Sequence, residues 1–202
     1  MTFPLPAMEL RRHEAPEPFR MGEMALPFSL GDFWSWAASD LASNALRGSL
    51  AEYLVARALG IELTVRAEWA AYDLQVPGGP SLEVKSSTYL QTWPQREPSR
   101  PCFGIKPTVA WSPEAGTYAP SEQRRRQADL YVFALLHHLD KVTLDPMDVT
   151  QWTFHVLPRH VLDASVRTQA TISLPALLCL EPTVCDFAGL PVAVASLAAE
   201  LR

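Results

Sequence analysis

The chain has 202 residues, enough for one domain with a sizeable core or one domain with an extension. A hydrophobic share of 48% and a charged share of 19% fit a globular protein, while the net charge of -5 argues against a polycation that coats nucleic acid non-specifically. Three cysteines without a CxxC pair argue against a disulfide framework or a zinc site. With no signal-peptide pattern and no run of about 18 apolar residues, we expect a cytoplasmic protein without a membrane partner.

The N-terminal part of the chain differs in composition from the rest. Residues 1–26 hold four prolines among mixed charges, which predicts a poorly ordered arm or one that packs late against the domain. A helix is predicted over 26–41, with Ser29 or Asp32 as its N-cap. No further boundary follows, so we expect a single domain over 27–202 with a helical elaboration at its C-terminal end.

A second helix is predicted over 44–59, with Asn44 at its start and Gly60 as its stop. Glu52 lies off the apolar stripe of this helix, on a face where its neighbours three to four residues away are mostly small. Such a face could approach a sheet closely and bring the carboxylate to a site there. The alternative is a solvated side chain, because most helical glutamates are exposed.

After a possible strand at 61–69, a β-hairpin is the feature around which the chain is organised. Residues 72–76 and 82–87 alternate with a period of two, and Pro-Gly-Gly-Pro between them predicts a turn. A three-residue loop at 77–79 would place Asp73 directly opposite Glu83. The hairpin then has one polar face.

The two faces of this hairpin differ in chemistry. Lys85 shares the polar face with the two carboxylates, and the opposite face is expected to hold Tyr72, Leu74, Leu82 and Val84. Like charges placed opposite each other destabilise a sheet unless a cation lies between them. An ordinary surface hairpin is the alternative interpretation.

Two carboxylates on one strand face suit a hard divalent cation. Mg2+ or Mn2+ takes oxygen ligands, commonly one or two carboxylates with waters and substrate phosphate. Asp73 and Glu83 would supply the carboxylates, and the backbone carbonyl of Val84 could add a ligand. Lys85 could orient an attacking water or stabilise developing negative charge, which together would permit phosphodiester hydrolysis.

The chain after the hairpin is a long proline-rich connection over 91–121, with short strands predicted at 102–106 and around 109–111. A connection of this length inside a compact domain is often functional, for instance as a loop that touches substrate. The apolar run 128–136 predicts a central buried strand, and 151–157 predicts another. Helical patterns interrupted by prolines follow to the end of the chain.

Five polar residues outside the hairpin's carboxylates are candidates for contacts with substrate phosphate. Ser86 and Ser87 directly follow the polar face of the second strand. Arg124, Arg125 and Arg126 form a run of positive charge that suits phosphate. A solvated face is the commoner explanation for such a run.

Tyr72-Asp73, nine intervening residues and Glu83-Val84-Lys85 resemble the signature of the PD-(D/E)XK nuclease superfamily. The core shared by that family is a helix, a three-stranded antiparallel meander, a second helix and a further strand. The resemblance implies an α/β restriction-endonuclease-like fold, with a central mixed β-sheet flanked by helices. It covers about 44–131 and departs from the pattern in having tyrosine rather than proline before Asp73.

The resemblance also implies roles for individual residues. Asp73 and Glu83 would be metal ligands, and Lys85 would be the catalytic lysine. Glu52 matches the acidic residue that many members carry on the first helix, as an accessory catalytic acid and metal ligand.

Gln127 and Tyr131, in the stretch QADLY, look like the glutamine and tyrosine that many members of this superfamily carry near a later helix or strand. Gln127 is therefore a further catalytic candidate. Many members also act as homodimers, since cutting two strands requires two sites. A homodimer is thus implied here.

The expected function is that of a Mg2+- or Mn2+-dependent nuclease acting on nucleic acid, with DNA the favoured substrate. The net negative charge keeps a second hypothesis open, a catalytically inactive nucleic-acid-binding or assembly module that retains the fold. A metal-dependent hydrolase of small phosphate compounds is a third.

Overall fold

The computed structural model describes residues 5, 8–66, 70–112, 117–120 and 124–201. Its contacts divide the chain into two compact units, one of Met1–Asp40 with Leu63–Glu68 and one of Leu41–Glu62 with Trp69–Arg202. The division therefore falls after Asp40 and not after residue 26. The chain also returns briefly to the first unit, which composition alone does not reveal.

The first unit contains a β-hairpin where the sequence predicts an arm. Strand β1 (Pro18–Met21) pairs antiparallel with β2 (Met24–Ser29). Gly22 in the turn between them has a φ of 65°, a conformation that favours glycine. Residues 18–29 thus form a hairpin of two paired strands, with Pro18 at the start of β1. The expectation of a poorly ordered or late-packing arm over 1–26 stays a prediction.

Helix α1 (Leu30–Ala38) follows β2 directly and is shorter than the predicted 26–41. Ser29 is its N-cap, and a capping box with Asp32 is complete: the Ser29 N–H donates to Asp32 Oδ2 at 2.7 Å, and the Asp32 N–H donates to Ser29 Oγ at 3.3 Å. No residue of α1 is buried, and Trp36 is 83% exposed. The apolar stripe of this helix therefore lies at the surface.

The second unit carries the remaining elements. In chain order they are α2 (Asn44–Ala58), β3 (Leu74–Gln75), β4 (Ser81–Thr88), β5 (Cys102–Gly104), β6 (Trp111–Ser112), β7 (Thr117–Tyr118), β8 (Leu130–Leu136), a 3-10 helix (Val149–Gln151), β9 (Trp152–Pro158), α3 (Arg159–Val166), β10 (Thr171–Ser173), α4 (Leu174–Leu178), β11 (Thr183–Cys185) and α5 (Leu190–Glu200).

Five of these strands form a mixed sheet in the order β11-β9-β8-β4-β3. Strands β4 and β8 are parallel, and the other neighbours are antiparallel. All seven residues of β8 are buried, as expected for the apolar run in the centre of a sheet covered on both faces. The predicted α/β class with a central mixed sheet is confirmed.

Helices pack against this sheet. Helix α2 contacts β4, α3 contacts β9, and α5 contacts β9 and β11. Helix α2 begins at the predicted Asn44, and Gly60 after its end has a φ of 65°, a left-handed stop that favours glycine. None of the helices formed by the described residues has the length and apolar character needed to cross a membrane.

Two features differ from the core that the resemblance implies. The strand predicted at 61–69 does not form over 61–66, and 67–69 lie outside the described residues, so a hairpin rather than a three-stranded meander precedes β8. Between β4 and β8, the described residues contain short strands and no helix. We call the connection between the parallel strands β4 and β8 the crossover. Its prolines explain the absence of a helix from its described residues, since they remove backbone donors and break helices.

The C-terminal part is only partly helical. The predicted helical patterns correspond to α3, α4 and α5, but two short strands lie between them. Strand β11 adds an edge to the main sheet, and β10 pairs with β5. Three-residue strands carry too short a pattern to be recognised from alternation.

Candidate active site

The β3–β4 hairpin has the loop that the sequence predicts. Gln75 pairs with Ser81, and the Val76 N–H donates to the Pro80 carbonyl at 3.1 Å, which leaves three residues in the loop. Gly78 has a φ of 64°, which favours glycine at the third position of a tight turn. The turn therefore fixes the register that positions the polar face.

Asp73 lies just outside the β3–β4 ladder, because the ladder stops at the pair of Leu74 and Leu82. The Asp73 N–H donates to the Leu82 carbonyl at 3.0 Å, and Asp73 is not paired with Glu83 in the ladder. Its carboxylate turns towards β4, where Oδ2 accepts the Val84 N–H at 2.7 Å. A charge-assisted bond of this length holds the carboxylate against the strand that carries the other site residues.

Glu83 and Lys85 lie on one face of β4. The register with β8 runs without interruption from Leu82 to Thr88, so side chains alternate regularly between the two faces. Lys85 Nζ donates a hydrogen bond to Glu83 Oε1, and both side chains are partly buried. The predicted grouping of these two residues is present.

The electrostatics of Asp73 show how close the charges are. Burial and the neighbouring Glu83 carboxylate raise the pKa of Asp73 to about 6, against the opposing effects of Lys85 and the Val84 N–H. Glu52 also raises this pKa, as the smallest of the causes. Glu52, Glu83 and Lys85 therefore all lie close enough to influence the Asp73 carboxyl.

The sequence leaves two interpretations of Glu52, a carboxylate that faces the sheet or a solvated side chain. It lies on α2, which packs against β4, and is half-buried rather than solvent-exposed. Within the residues that the structure describes, no group of three or more His, Cys, Asp and Glu side chains is arranged to hold a metal ion. The carboxylates of Asp73 and Glu83 are thus the pair to consider first as direct ligands, and a ligand role for Glu52 stays a prediction.

This pair fits a hard divalent cation by its chemistry. Two carboxylates that repel each other, one with a raised pKa, are stabilised by a positive ion between them. The Val84 N–H points to the Asp73 side of β4, and in a strand the carbonyl of the same residue points to the same side. Its carbonyl is therefore directed towards the same region as the carboxylates.

Tyr131 belongs to the same face of the sheet. It pairs with Glu83 in the parallel register, so the two side chains project in the same direction. Burial, with the Glu83 charge, raises the pKa of the Tyr131 hydroxyl well above its usual range. Tyr72 packs against the buried hydrophobic cluster that contains Tyr131 and Phe133, so its expected place on the opposite face is wrong. Residues 71–73 form a bend, and the alternation of β3 does not extend to them.

Gln127 makes its bonds within the crossover. Its Nε2 donates to the Thr108 carbonyl at 2.9 Å and to the Arg125 carbonyl at 3.3 Å, and its Oε1 accepts from Arg125 Nε at 3.3 Å. None of these partners is a member of the carboxylate group. The structure therefore gives Gln127 a role in holding the crossover, and its predicted catalytic role has no contact to support it.

The two serines after Lys85 lie on different faces of β4. Ser86 lies on the opposite face of β4 because of the regular alternation. Ser87 shares the face of Lys85 but is buried, and its Oγ accepts the Cys102 N–H at 3.1 Å. Neither position matches the expected contact with substrate phosphate.

The arginine run is divided between surface and interior. Arg124 and Arg125 are exposed, whereas the side chain of Arg126 is fully buried. Arg126 Nε donates to the Ile105 carbonyl at 2.9 Å and Nη1 donates to Asp163 Oδ1 at 2.8 Å. Arg126 is thus a structural residue and not a surface contact for phosphate.

Asp163 on α3 is a residue that the sequence interpretation missed. It accepts from Arg126, and at 3.5 Å from Arg159 one turn earlier on the same helix. The charges of all three act on the Tyr131 hydroxyl. Arg126 and Asp163 are 37 residues apart, so no local pattern in the sequence indicates their contact.

No protein-family model matches this chain, and the comparison with curated proteins finds no match either. The geometry of the hairpin is therefore the basis for a functional argument. It provides two adjacent carboxylates, a lysine bonded to one of them, and a third carboxylate within electrostatic reach. Such a group can bind a cation and act on a phosphate ester.

Proposed function

We propose that the protein is a divalent-metal-dependent nuclease that hydrolyses phosphodiester bonds, with DNA as the expected substrate. One observation carries the proposal: Asp73 is held beside Glu83 with a pKa raised to about 6, and Lys85 is bonded to Glu83. A perturbed carboxyl with specific charged partners is typical of functional sites, because it costs stability without a compensating ligand.

Asp73 and Glu83 would hold a Mg2+ or Mn2+ ion, together with the Val84 carbonyl. When bound, the ion would lower the pKa of a coordinated water and neutralise charge on the phosphate. Because Asp73 is largely protonated below pH 6, metal affinity is expected to weaken there.

The chain's own residues have separate tasks. Asp73 is anchored by the Val84 N–H, which keeps its carboxylate next to β4. Lys85 keeps an ammonium beside Glu83, where it can orient a water or stabilise negative charge on a phosphate oxygen. Glu52 contributes negative charge from α2, which favours a cation at the site.

We also propose that the second unit is a variant of the PD-(D/E)XK core. The order of α2, an antiparallel hairpin and a parallel β8 beside β4 supports this relationship. The crossover without a helix in its described residues is the main departure. Homodimer formation remains an implication of the resemblance.

The test is cleavage by purified protein with Mg2+ or Mn2+, on single-stranded and duplex DNA and on RNA. The wild type should cleave at least one of these in the presence of metal, and a chelator should stop the reaction. Glu83→Gln, which keeps shape and removes charge, should lose activity by a factor of at least about 10², because a metal ligand is removed. Equal activity in wild type and variant, or none with any substrate, would contradict the proposal.

A second candidate is a non-catalytic nucleic-acid-binding or assembly module. The observation that favours it is that the described residues contain no group of three or more side chains arranged as metal ligands. In that case wild type would bind DNA without cleaving it, and Glu83→Ala would leave the affinity unchanged. The same purified proteins thus distinguish the two candidates.

A further inference from the structure

The crossover between β4 and β8 carries a groove of about 530 Å³ with a basic lining. We name it the basic groove; its lining residues are Lys106, Thr108, Val109, Tyr118, Ala119 and Arg124. Both cations are exposed, and in the part of the chain that the structure describes neither forms an ion pair. Among the described residues the lining contains two cations and no carboxylate, in a chain of net charge -5.

An aromatic pair stands at this groove. Tyr118 on β7 packs edge to face against Trp111 on β6, with ring centroids 5.0 Å apart at 72°. Tyr118 is 52% exposed, so about half of its surface is open to a ligand. Proteins that bind single-stranded nucleic acids combine aromatic rings, on which bases stack, with cations that contact the phosphates. The fixed ring of Tyr118 and the two cations of the groove match this combination.

The backbone around the groove is fixed. Thr108 and Arg125 form an antiparallel bridge, with reciprocal N–H to carbonyl bonds of 2.9 and 3.0 Å. Gln127 adds its side-chain bond to the Thr108 carbonyl. The residue predicted to be catalytic therefore helps to fix the wall of the groove.

The groove is connected to the candidate active site along a short stretch of chain. Arg124 lies seven residues before Tyr131, which pairs with Glu83. Seven residues span at most about 25 Å. This is about seven nucleotides at the 3.4 Å rise of a duplex strand, so one polynucleotide is long enough to occupy both places.

We infer that the basic groove binds a single-stranded segment of the polynucleotide that is cut at Asp73 and Glu83. Lys106 and Arg124 contact its phosphates, and Tyr118 stacks on an unpaired base. The inference rests on the proposed nuclease function and deepens it: the substrate is a polynucleotide and not a small phosphate compound. The groove requires no particular base, because every base offers a ring face.

The test measures binding in the presence of a chelator, by fluorescence anisotropy with a labelled single-stranded oligonucleotide of about 16 nucleotides, a length within the range of single-strand binding folds. Tyr118→Ala should weaken binding about tenfold, and Tyr118→Phe should retain it, because the ring is kept. Lys106→Gln with Arg124→Gln should reduce the slope of log affinity against log salt by about 1.4, or 0.7 for each contact. Arg96→Gln is the matched control, since Arg96 is exposed and does not line the groove.

Failure of the groove and failure of the nuclease are distinguishable. Binding that depends on the groove residues, without cleavage, would retain the groove as a single-strand binding site and reject the catalytic proposal. Cleavage with groove variants that bind like wild type would do the reverse. Absence of single-strand binding, or equal binding of duplex and single strand unaffected by Tyr118→Ala, would overturn the inference.

Discussion

Two charged clusters occupy the second unit, and they are built on opposite principles. At the hairpin, Asp73 and Glu83 bring like charges together, and the pKa of Asp73 is raised. At α3, the buried Arg126 meets the carboxylate of Asp163 at 2.8 Å. Both act on the hydroxyl of Tyr131, which connects the two clusters.

The difference separates function from stability. The buried Arg126, bonded to the partly exposed Asp163, holds the crossover to α3, so removing one partner should lower the free energy of unfolding. Like charges that repel destabilise the folded state, so their retention needs a ligand to explain it. Substitutions in the first cluster should therefore affect activity, and substitutions in the second should affect stability.

The largest effect is expected for Lys85→Met on cleavage. Removal of a positioned ammonium should reduce the rate by a factor of about 10² to 10⁴, as for other proton-transfer or charge-stabilising groups. Stability should change by less than about 1 kcal/mol, because the side chain is partly exposed. Lys141→Met, at an exposed lysine bonded to the Trp93 carbonyl, is the matched control for cleavage assays. Unchanged cleavage by Lys85→Met would contradict the catalytic role assigned to the cluster of Asp73, Glu83 and Lys85.

Asp163→Asn should lower the free energy of unfolding by about 2 kcal/mol. This lies between the values for fully buried and exposed pairs, because Asp163 is 41% exposed and Arg126 is fully buried. Urea denaturation measures it. In an Arg126→Met background the same substitution should cost less than 1 kcal/mol, roughly the level of an exposed site. Equal costs in both backgrounds would show that the two charges are not coupled.

Asp73→Asn should stabilise the metal-free protein near pH 7 by about 1 to 2 kcal/mol, less than a shift from 3.8 to about 6 would give for a fully buried group. The folded-state pKa is raised, so the stabilisation due to protonation of Asp73 is present below about pH 4 and is lost as the pH rises to about 6. The difference between variant and wild type should therefore grow over this interval. Urea titrations in a chelator at several pH values measure it, and a difference that shrinks with rising pH would contradict the raised pKa.

Local chemistry made parts of this fold predictable. The Pro77–Gly79 loop, the Ser29 cap and the buried run of β8 each follow from residues close together in sequence. The pattern of alternation also placed Glu83 and Lys85 on one face. These features depend on periodicity and turn preference, which a single sequence contains.

Other features depend on contacts between distant residues. Arg126 looked like part of a surface run, and only the fold shows Ile105 and Asp163 closing around it. Tyr72 was placed by extending the alternation of β3, but that strand begins only at Leu74. The position of Asp73 outside the β3–β4 ladder likewise depends on where the ladder stops, which the pattern does not specify.

The seam between β4 and β8 joins parts of the chain that are far apart in sequence. Thr88 ends β4 and Leu130 begins β8, so 41 residues intervene, against 15 between the end of β8 at Leu136 and the start of β9 at Trp152. Closing the longer loop costs about 1 kcal/mol more in chain entropy. Parallel pairing across such a crossover raises contact order and slows folding. We therefore expect the contact between Glu83 on β4 and Tyr131 on β8 to form late in folding, after the local β3–β4 hairpin.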